Sequence, residues 1–236
     1  MLTQPEFPRN KAVFFAPHAD DEVLGAGGLI ARLSRDGWEV HVVFGVISGF
    51  GSMSTADHST TPDREEEAHA ALSVLGCTSS EVLYRGEEFH LRLDCLGQGE
   101  LISSIESTLM SRRPSLVVVP SVRDHHQDHR AIAEACVTAL RPAPDGKRPF
   151  VPVVLAYGQS GAAGWGGEPY RFEPNFFVDI TEQLDRKLEA MRCYTSQICD
   201  PPHGRSLEGI RSRANFYGAL AGCQYAEAFE SLRYVF

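Results

Sequence analysis

The feature that most constrains this fold is a strand, helix and strand pattern near the start of the chain. The apolar run "KAVFFAP" (11–17) predicts a buried strand, and "DEVLGAGGLIARLSRDG" (21–37) carries apolar residues at helical spacing. Gly37 suits the C-terminal end of that helix, and "WEVHVVFGVIS" (38–48) predicts a second buried strand. Two strands joined in this way form a βαβ unit, which implies a parallel sheet and a right-handed crossover.

The same alternation continues along the chain. Residues 61–76 predict a helix, with Thr61 before Pro62 in the arrangement typical of an N-cap and first turn. Further strands are predicted at 81–85, 115–121, 151–158 and 175–180, and further helices at 101–113, 128–140 and 181–197, the last beginning at Thr181. No internal repeat or dividing linker interrupts the series. We therefore expect residues 1–236 to form a single Rossmann-like α/β domain, in which helices flank a mostly parallel sheet.

Two glycine-rich segments need separate interpretation. "GAGGLI" (25–30) is not a dinucleotide fingerprint, because Ile30 occupies the position where G-x-G-x-x-G has its last glycine. Its glycines are instead expected to let the first helix pack closely on the sheet or on the site. The segment "GQSGAAGWGGEPY" (158–170) predicts a mobile loop over one face of the domain rather than a domain boundary.

Histidines and acids follow two of the predicted strands at the point where each strand ends. "PHADDE" (17–22) follows the first strand, and "RDHHQDHR" (123–130) follows the strand at 115–121. In an open parallel sheet, ligands bind outside the carboxyl ends of the strands. If the two strands are central and adjacent, the two clusters face each other across that crevice.

Together these clusters predict a metal site. A catalytic zinc requires three ligands from histidine and carboxylate and an open position for water. His18 and one of Asp20 and Asp21 would supply two ligands, and a histidine of the second cluster would supply the third. A spare carboxylate would act as general base on the bound water, and a spare histidine would polarise a carbonyl or protonate a leaving group. The first cluster alone is more typical of a turn or a helix start than of a metal site. The second cluster alone is a somewhat better ligand signal, although surface histidines beside acids are common. The remaining histidines are interpreted otherwise: His41 as packed in a strand, and His58, His69 and His90 as solvated.

The composition excludes several classes of function. The formal net charge of -9, with no compensating basic stripe, argues against nucleic acid or an anionic membrane as the partner. No apolar run is long enough to cross a bilayer, and "MLTQPEFPRNK" lacks the apolar stretch of a signal peptide. The six cysteines form no C-x-x-C pair, so they predict reduced thiols of a cytoplasmic protein with no metal role. A neutral or cationic small substrate agrees best with this balance.

The motifs resemble one known family. "PHADDEVLGAGG" and "HQDHR" are similar to the PIG-L/LmbE-like family of zinc-dependent N-acetylglucosaminyl de-N-acetylases, whose motifs read A-H-P-D-D-E and H-x-D-H. The resemblance extends through "DREEEAHAALSVLG", "FVDITEQLDRKLEAMRCYTSQ" and "PPHGRSLEGIRSRANFYG", which is nearly the whole chain. Ala19 replaces the usual proline, which removes some rigidity from the turn but no ligand. The segment "YRGEEFHLRLD" matches the family's aspartate-containing acceptor loop poorly.

The resemblance implies a role for each residue of the two clusters. His18, Asp21 and His129 become the metal ligands, and Asp20 becomes the general base on the metal-bound water. His126 becomes the group that stabilises the oxyanion or protonates the leaving amine, and Asp128 orients it. Arg64, His203 and Arg205 become substrate-binding residues. For Arg205 a structural salt bridge is at least as common, and His203 and Glu227 are similar cases. Trp165 either stacks on a sugar ring or anchors the glycine-rich loop.

The function implied is hydrolysis of an N-acetyl amino sugar within a glycan, a glycoconjugate or a nucleotide-sugar precursor. The cofactor implied is Zn²⁺, or another divalent metal such as Fe²⁺, and the partner is the small-molecule substrate; a homo-oligomer is left open. One alternative is an amidase that acts on a thiol-sugar conjugate. Another is a non-catalytic sugar- or nucleotide-binding protein of the same fold, but binding alone would not require the general base at Asp20.

Overall fold

The computed structural model describes residues 10–51, 58–142, 148–158 and 167–235. Its elements follow one another along the chain as β1 (Lys11–His18), α1 (Asp21–Arg35), β2 (Glu39–Ile47), β3 (Phe50–Gly51), β4 (His58–Ser59), α2 (Thr61–Leu75), β5 (Ser79–Arg85), α3 (Gln98–Arg112), β6 (Leu116–Pro120), α4 (Gln127–Ala139), β7 (Val153–Tyr157), β8 (Phe176–Asp179), α5 (Leu184–Cys193), α6 (Leu207–Ala221) and β9 (Ala226–Tyr234). No helix in these ranges is both long and apolar enough to cross a bilayer.

Seven strands form one sheet in the order β5-β2-β1-β6-β7-β9-β8, and β3 pairs with β4 apart from it. The pairs among β5, β2, β1, β6 and β7 are all parallel, whereas β9 runs antiparallel to both of its neighbours. The mostly parallel α/β sheet predicted from the sequence is therefore confirmed. β1 and β6 are adjacent and central, so the two polar clusters that follow them lie at the same edge of the sheet.

A hydrophobic core covers each face of the sheet. Phe14 and Phe44 point into a core that also contains residues of α1, α2, α5 and α6. Val13 and Phe15 point into the opposite core, which contains residues of α3 and α4. Successive side chains of a strand point to opposite faces, and both faces here are covered, which explains why these strands read as continuous apolar runs.

The structure corrects the predicted N-cap of α2 and the predicted starts of α3 and α5; α3 begins at Gln98 rather than at Leu101. Thr60, not Thr61, is the N-cap of α2: its hydroxyl accepts from the Asp63 backbone amide, and the Asp63 side chain accepts from the Thr60 amide. Helix α5 begins at Leu184 rather than at Thr181. Thr181 lies in a turn, because the Asp179 carboxylate accepts hydrogen bonds from the Thr181 backbone amide at 2.9 Å and from the Thr181 hydroxyl at 2.6 Å.

Four elements have no counterpart in the sequence prediction: the short pair β3 and β4, and α6 and β9. β9 inserts antiparallel between β7 and β8, and α6 precedes it. Only Ile210, Ala214 and Gly218 of α6 are buried, so its apolar stripe is narrow and built largely of small residues. The predicted mobile loop with Trp165 falls mostly on residues 159–166, outside the described part of the chain.

Candidate metal centre

The first cluster is held in a tight turn between β1 and α1. His18 is the last residue of β1, Asp20 is the N-cap of α1 and Asp21 begins the helix. Asp20 has φ 123°, a backbone conformation that residues other than glycine rarely adopt. Its amide donates to Glu22 Oε2 at 3.1 Å, and the His18 amide donates to Asp21 Oδ2 at 2.9 Å. The Tyr194 hydroxyl donates to the other oxygen of Glu22. Buried side chains therefore fix this turn from behind.

The second cluster is organised by the start of α4. His126 is the N-cap, and its Nδ1 accepts from the Asp128 backbone amide at 3.2 Å. Asp124 precedes the helix and accepts from the His126 amide at 2.8 Å. His129 lies in the first turn and is 1% exposed, which places its ring beneath the loop rather than in solvent.

Three side-chain atoms from the two clusters converge on one point. His18 Nδ1 lies 3.4 Å from Asp21 Oδ2, Asp21 Oδ2 lies 3.1 Å from His129 Nε2, and His129 Nε2 lies 3.3 Å from His18 Nδ1. A tetrahedral zinc with bonds of about 2.0–2.1 Å separates its ligand atoms by about 3.3 Å. The residue types and the spacing of the three atoms therefore fit a single metal ion.

The outward nitrogens of both histidines are paired with carboxylates. His129 Nδ1 lies 2.9 Å from Asp124 Oδ2, and His18 Nε2 lies 2.9 Å from Asp128 Oδ2. Ionised carboxylates only accept hydrogen bonds, so in the neutral rings these nitrogens carry the hydrogens and the inward nitrogens carry lone pairs. Metal-binding histidines in proteins are oriented in this way. Asp124 has no predicted role from the sequence; the available signal was an acid within the same short stretch as His129.

Asp128 departs from its predicted role. Its carboxylate contacts His18 Nε2 and accepts from the Leu93 amide at 3.0 Å, whereas His126 is bonded by the backbone amide of Asp128. The physical reason is that His126 caps α4 with its side chain, so the first free amides of the helix, not the Asp128 carboxylate, orient its ring.

The electrostatics of the cluster favour a positive charge. Burial opposes a charge on the His129 ring, but the carboxylates of Asp21 and Asp124 outweigh it and raise the pKa of His129 to about 10. Burial likewise opposes ionisation of Asp21, yet His129 and His18 hold its pKa well below the ordinary range. Such a site stabilises a cation, whether a proton on histidine or a metal ion.

Two neighbouring groups, Asp20 and His126, have shifted pKa values that fix their charge at neutral pH. Burial, followed by the charge of Asp21, raises the pKa of Asp20 to about 6. Burial, followed by His18 and His129, lowers the pKa of His126 to about 4. His126 is therefore neutral at physiological pH. Since its Nδ1 accepts from the Asp128 amide, its hydrogen lies on Nε2, where it can be donated.

The predicted substrate-binding residues are placed in three different ways. Arg205 reaches the site, with Nη1 3.7 Å from Asp20 Oδ2 and 2.9 Å from Gln197 Oε1. His203 is exposed, and its Nδ1 accepts from the Arg205 amide at 3.1 Å. Arg64 is buried behind the first cluster and donates to the Ala19 carbonyl oxygen. Substrate contact stays a prediction for all three residues.

Two further residues show what the sequence did not reveal. Glu227 is 4% exposed and forms an ion pair with Lys187 at 2.6 Å, so for this residue the structural salt bridge is the correct alternative. His90 is not solvated as expected: it is half-buried, and its Nδ1 lies 2.7 Å from Ser48 Oγ. His41 is packed in β2 as predicted.

Comparisons with known proteins bear on the family and on the fold. The sequence model of the family described as GlcNAc-PI de-N-acetylase (PIG-L) matches residues 13–140. Diacetylchitobiose deacetylase of Thermococcus kodakarensis is 27% identical over 245 residues, covering 100% of this chain and 88% of that protein. The crystal structure of N,N'-diacetylchitobiose deacetylase from Pyrococcus horikoshii, complexed with its inhibitor MPG, has a TM-score of 0.69 and 26% identity, covering 94% of this chain and 84% of that one. A 4-oxalmesaconate hydratase of Pseudomonas putida is 26% identical over 199 residues, covering 80% of this chain and 75% of that protein.

Proposed function

The chain belongs to the PIG-L family of GlcNAc-PI de-N-acetylases, and from this premise we propose that it is a metal-dependent hydrolase that removes the acetyl group from an N-acetyl amino sugar. The observation that carries the proposal is the convergence of His18, Asp21 and His129 on one point at tetrahedral spacing. The similarity to diacetylchitobiose deacetylases supports an N-acetylated sugar as the substrate class.

His18, Asp21 and His129 would hold the metal, for which Zn²⁺ is our first choice and Fe²⁺ the second. Two histidine nitrogens and one carboxylate oxygen form a donor set that zinc binds in hydrolytic enzymes, with a position left for water. When bound, such an ion lowers the pKa of a water molecule and polarises a carbonyl oxygen. Asp124 and Asp128 accept from the outward nitrogens of His129 and His18, so the inward nitrogens are the ones that would bind the metal in place of a proton.

Asp20 is the proton acceptor in this mechanism. Its pKa of about 6 leaves it ionised at neutral pH, yet basic enough to take a proton from the attacking water. The water oxygen forms a bond to the acyl carbon, the carbon–nitrogen bond breaks, and the proton held on Asp20 passes to the departing nitrogen. The products are acetate and the free amino sugar. Arg205, at 3.7 Å from Asp20, favours the ionised form of this carboxyl.

His126 stabilises the charge that develops on the carbonyl oxygen. Its ring lies 4.9 Å from that of His18 and 4.7 Å from that of His129, centroid to centroid, so it borders the proposed metal position. A neutral ring with its hydrogen on Nε2 is a hydrogen-bond donor rather than a strong acid. Of the two roles open for His126, the geometry therefore supports oxyanion stabilisation over protonation of the amine.

The experiment is an assay of the metal-loaded protein against three kinds of substrate. We expect the metal-loaded protein to release acetate and a free amine in equal amounts from N,N'-diacetylchitobiose or another N-acetyl glucosamine derivative. After a chelator has removed the metal, the protein should release neither product. An N-acylated thiol-sugar conjugate is the second substrate, and 4-oxalmesaconate is the third. Turnover of the thiol-sugar conjugate alone would support the amidase alternative. Water addition to 4-oxalmesaconate without acetate release from any N-acetyl sugar would contradict the proposal.

A further inference from the structure

Helix α1, which begins with Asp21, is interrupted near its middle. Ala26 has φ -146° and ψ 15°, outside the helical region. In a regular α-helix the Gly28 amide would donate to the Leu24 carbonyl oxygen, four residues earlier. The kink at Ala26 thus lies between the donor and the acceptor of one helical hydrogen bond.

Lys187 of α5 and Glu227 of β9 occupy the gap; we refer to this pair as the α1 clamp. The Gly28 amide donates to Glu227 Oε1 at 2.7 Å, and the Leu29 amide donates to Glu227 Oε2 at 2.7 Å. Lys187 Nζ donates to the Leu24 carbonyl oxygen at 3.0 Å and to Glu227 Oε1 at 2.6 Å. The clamp thus inserts two side chains between the donor and the acceptor of one helical hydrogen bond, which is a recognised cause of helix kinks.

Stability alone does not explain this arrangement. Both members of the clamp are 4% exposed, so two charges have been taken out of water. Apolar side chains in place of a buried ion pair are often as stable or more so, and a continuous helix would satisfy Gly28 and Leu24 without help. What the clamp supplies and an apolar pair would not is a fixed break in α1.

The break separates two halves of α1 that pack against different side chains. On the side of Asp21, Gly25 lies against the Tyr157 ring so closely that a β-carbon at this position would collide with it. The Tyr157 hydroxyl donates to the Phe15 carbonyl oxygen at 3.0 Å, which anchors that ring to β1. On the far side, a β-carbon on Gly28 would likewise collide with Ile180. The direction of the Asp21 half is therefore set independently of the rest of α1.

We propose that Lys187 and Glu227 are positioning residues for the reaction: by holding α1 open, they direct the segment that carries Asp21 and so set the spacing of its carboxylate from His18 and His129. This inference rests on the proposed function, because it takes Asp21 as a metal ligand. Neither clamp residue contacts the ligands, so the effect passes through the backbone of residues 21–25.

The test compares cobalt binding by the wild type with that of the double variant Lys187→Met/Glu227→Leu, which leaves no unpaired charge and lets the helix close. We expect the double variant to unfold cooperatively in urea, with weaker Co²⁺ affinity by about tenfold to a hundredfold, the usual effect of disturbing the surroundings of a ligand. The visible absorption bands of bound Co²⁺ should change, and kcat should fall while KM stays the same. A merely structural pair would change none of these in the folded protein.

A matched control lies on the same helix. Arg35, in the last turn of α1, pairs with Glu182 at 2.5 Å on the surface, and Arg35→Gln/Glu182→Gln should leave Co²⁺ affinity and spectrum unchanged. Should the double clamp variant fail to fold, Glu227→Gln, which keeps the side-chain size, is expected to show the same loss of affinity. Wild-type affinity and spectrum in a folded clamp variant would overturn the inference alone. A wild type that binds no Co²⁺ would overturn the proposed function, and the inference with it.

Discussion

The candidate metal centre and the α1 clamp are both buried clusters of charged side chains, yet their hydrogen bonding differs. In the clamp, both Glu227 carboxylate oxygens accept hydrogen bonds, and the Lys187 ammonium donates hydrogen bonds to two acceptors. In the candidate metal centre, His18 Nδ1, Asp21 Oδ2 and His129 Nε2 lie 3.1 to 3.4 Å from one another, a spacing at which one ion could bind all three atoms. Native proteins normally satisfy their buried polar groups. Both clusters bury charge, whereas the convergence of three potential metal-binding atoms on one point distinguishes the candidate metal centre from the clamp.

The largest effect is expected when a proposed ligand of the candidate metal centre is removed. His129→Ala removes one of the three proposed ligands and the partner that balances the charge of Asp21. We therefore expect loss of bound metal and a fall in kcat/KM of about a thousandfold or more, since a metal ion supplies several kcal/mol to such a reaction. Metal content after gel filtration, together with acetate release, measures both. His125→Ala, in the same stretch but exposed, is the control and should keep its metal. Equal metal content in the two variants would refute the site.

The next-largest effect is expected when one charge of the α1 clamp is removed. Lys187→Met leaves Glu227 buried without its cation, and we expect the free energy of unfolding to fall by about 3–5 kcal/mol, the usual consequence of breaking a buried ion pair from one side. Urea denaturation measures this loss. The double variant with Glu227→Leu should recover most of the loss, because it removes the stranded charge. If the losses in the free energy of unfolding of Lys187→Met and of Glu227→Leu simply add in the double variant, the two side chains do not act as a pair.

The sequence predicts the βαβ alternation and the adjacency of the two clusters well, because both follow from long apolar runs and from strand connectivity. It does not predict β9: "AEAFESLRY" mixes charged and apolar residues, and it becomes a strand through pairing with β7 and β8. Nor does it predict the clamp, whose partners lie 40 residues apart in the chain and meet only across α5 and β9. Contacts of this kind leave no local periodicity.

Within the site, residue types and spacing predict the two clusters but not the hydrogen bonds among their members. Whether Asp128 faces His126 or His18 depends on how α4 begins, and the N-cap role of His126 decides it. Asp124 illustrates the same limit. It is near His129 in the sequence, but the two side chains form a hydrogen bond only because the residues between them fold so that they face each other.

A third experiment sharpens the comparison inside the metal centre, by separating two adjacent acids. Asp20→Asn should keep its metal and bind substrate with similar affinity while kcat falls by about a hundredfold or more, the usual contribution of a general base. Asp21→Ala should lose metal affinity first and activity as a result. Metal content and steady-state kinetics of both variants distinguish the roles. A metal-free Asp20→Asn protein beside a loaded Asp21→Ala protein would reverse them.

The smallest effect concerns a polar cluster that is satisfied and exposed, the capping box of α2. Thr60→Ala removes the side-chain acceptor of the Asp63 amide, and we expect a loss of about 1 kcal/mol in the free energy of unfolding, with unchanged metal content and kcat. Hydrogen bonds from Thr60 lower the pKa of Asp63, so its contribution is present at neutral pH and is lost as the pH falls through that lowered pKa. The difference in stability between wild type and variant should therefore narrow in acid. A difference that stays constant down to pH values where Asp63 is protonated would show that the box is not its origin.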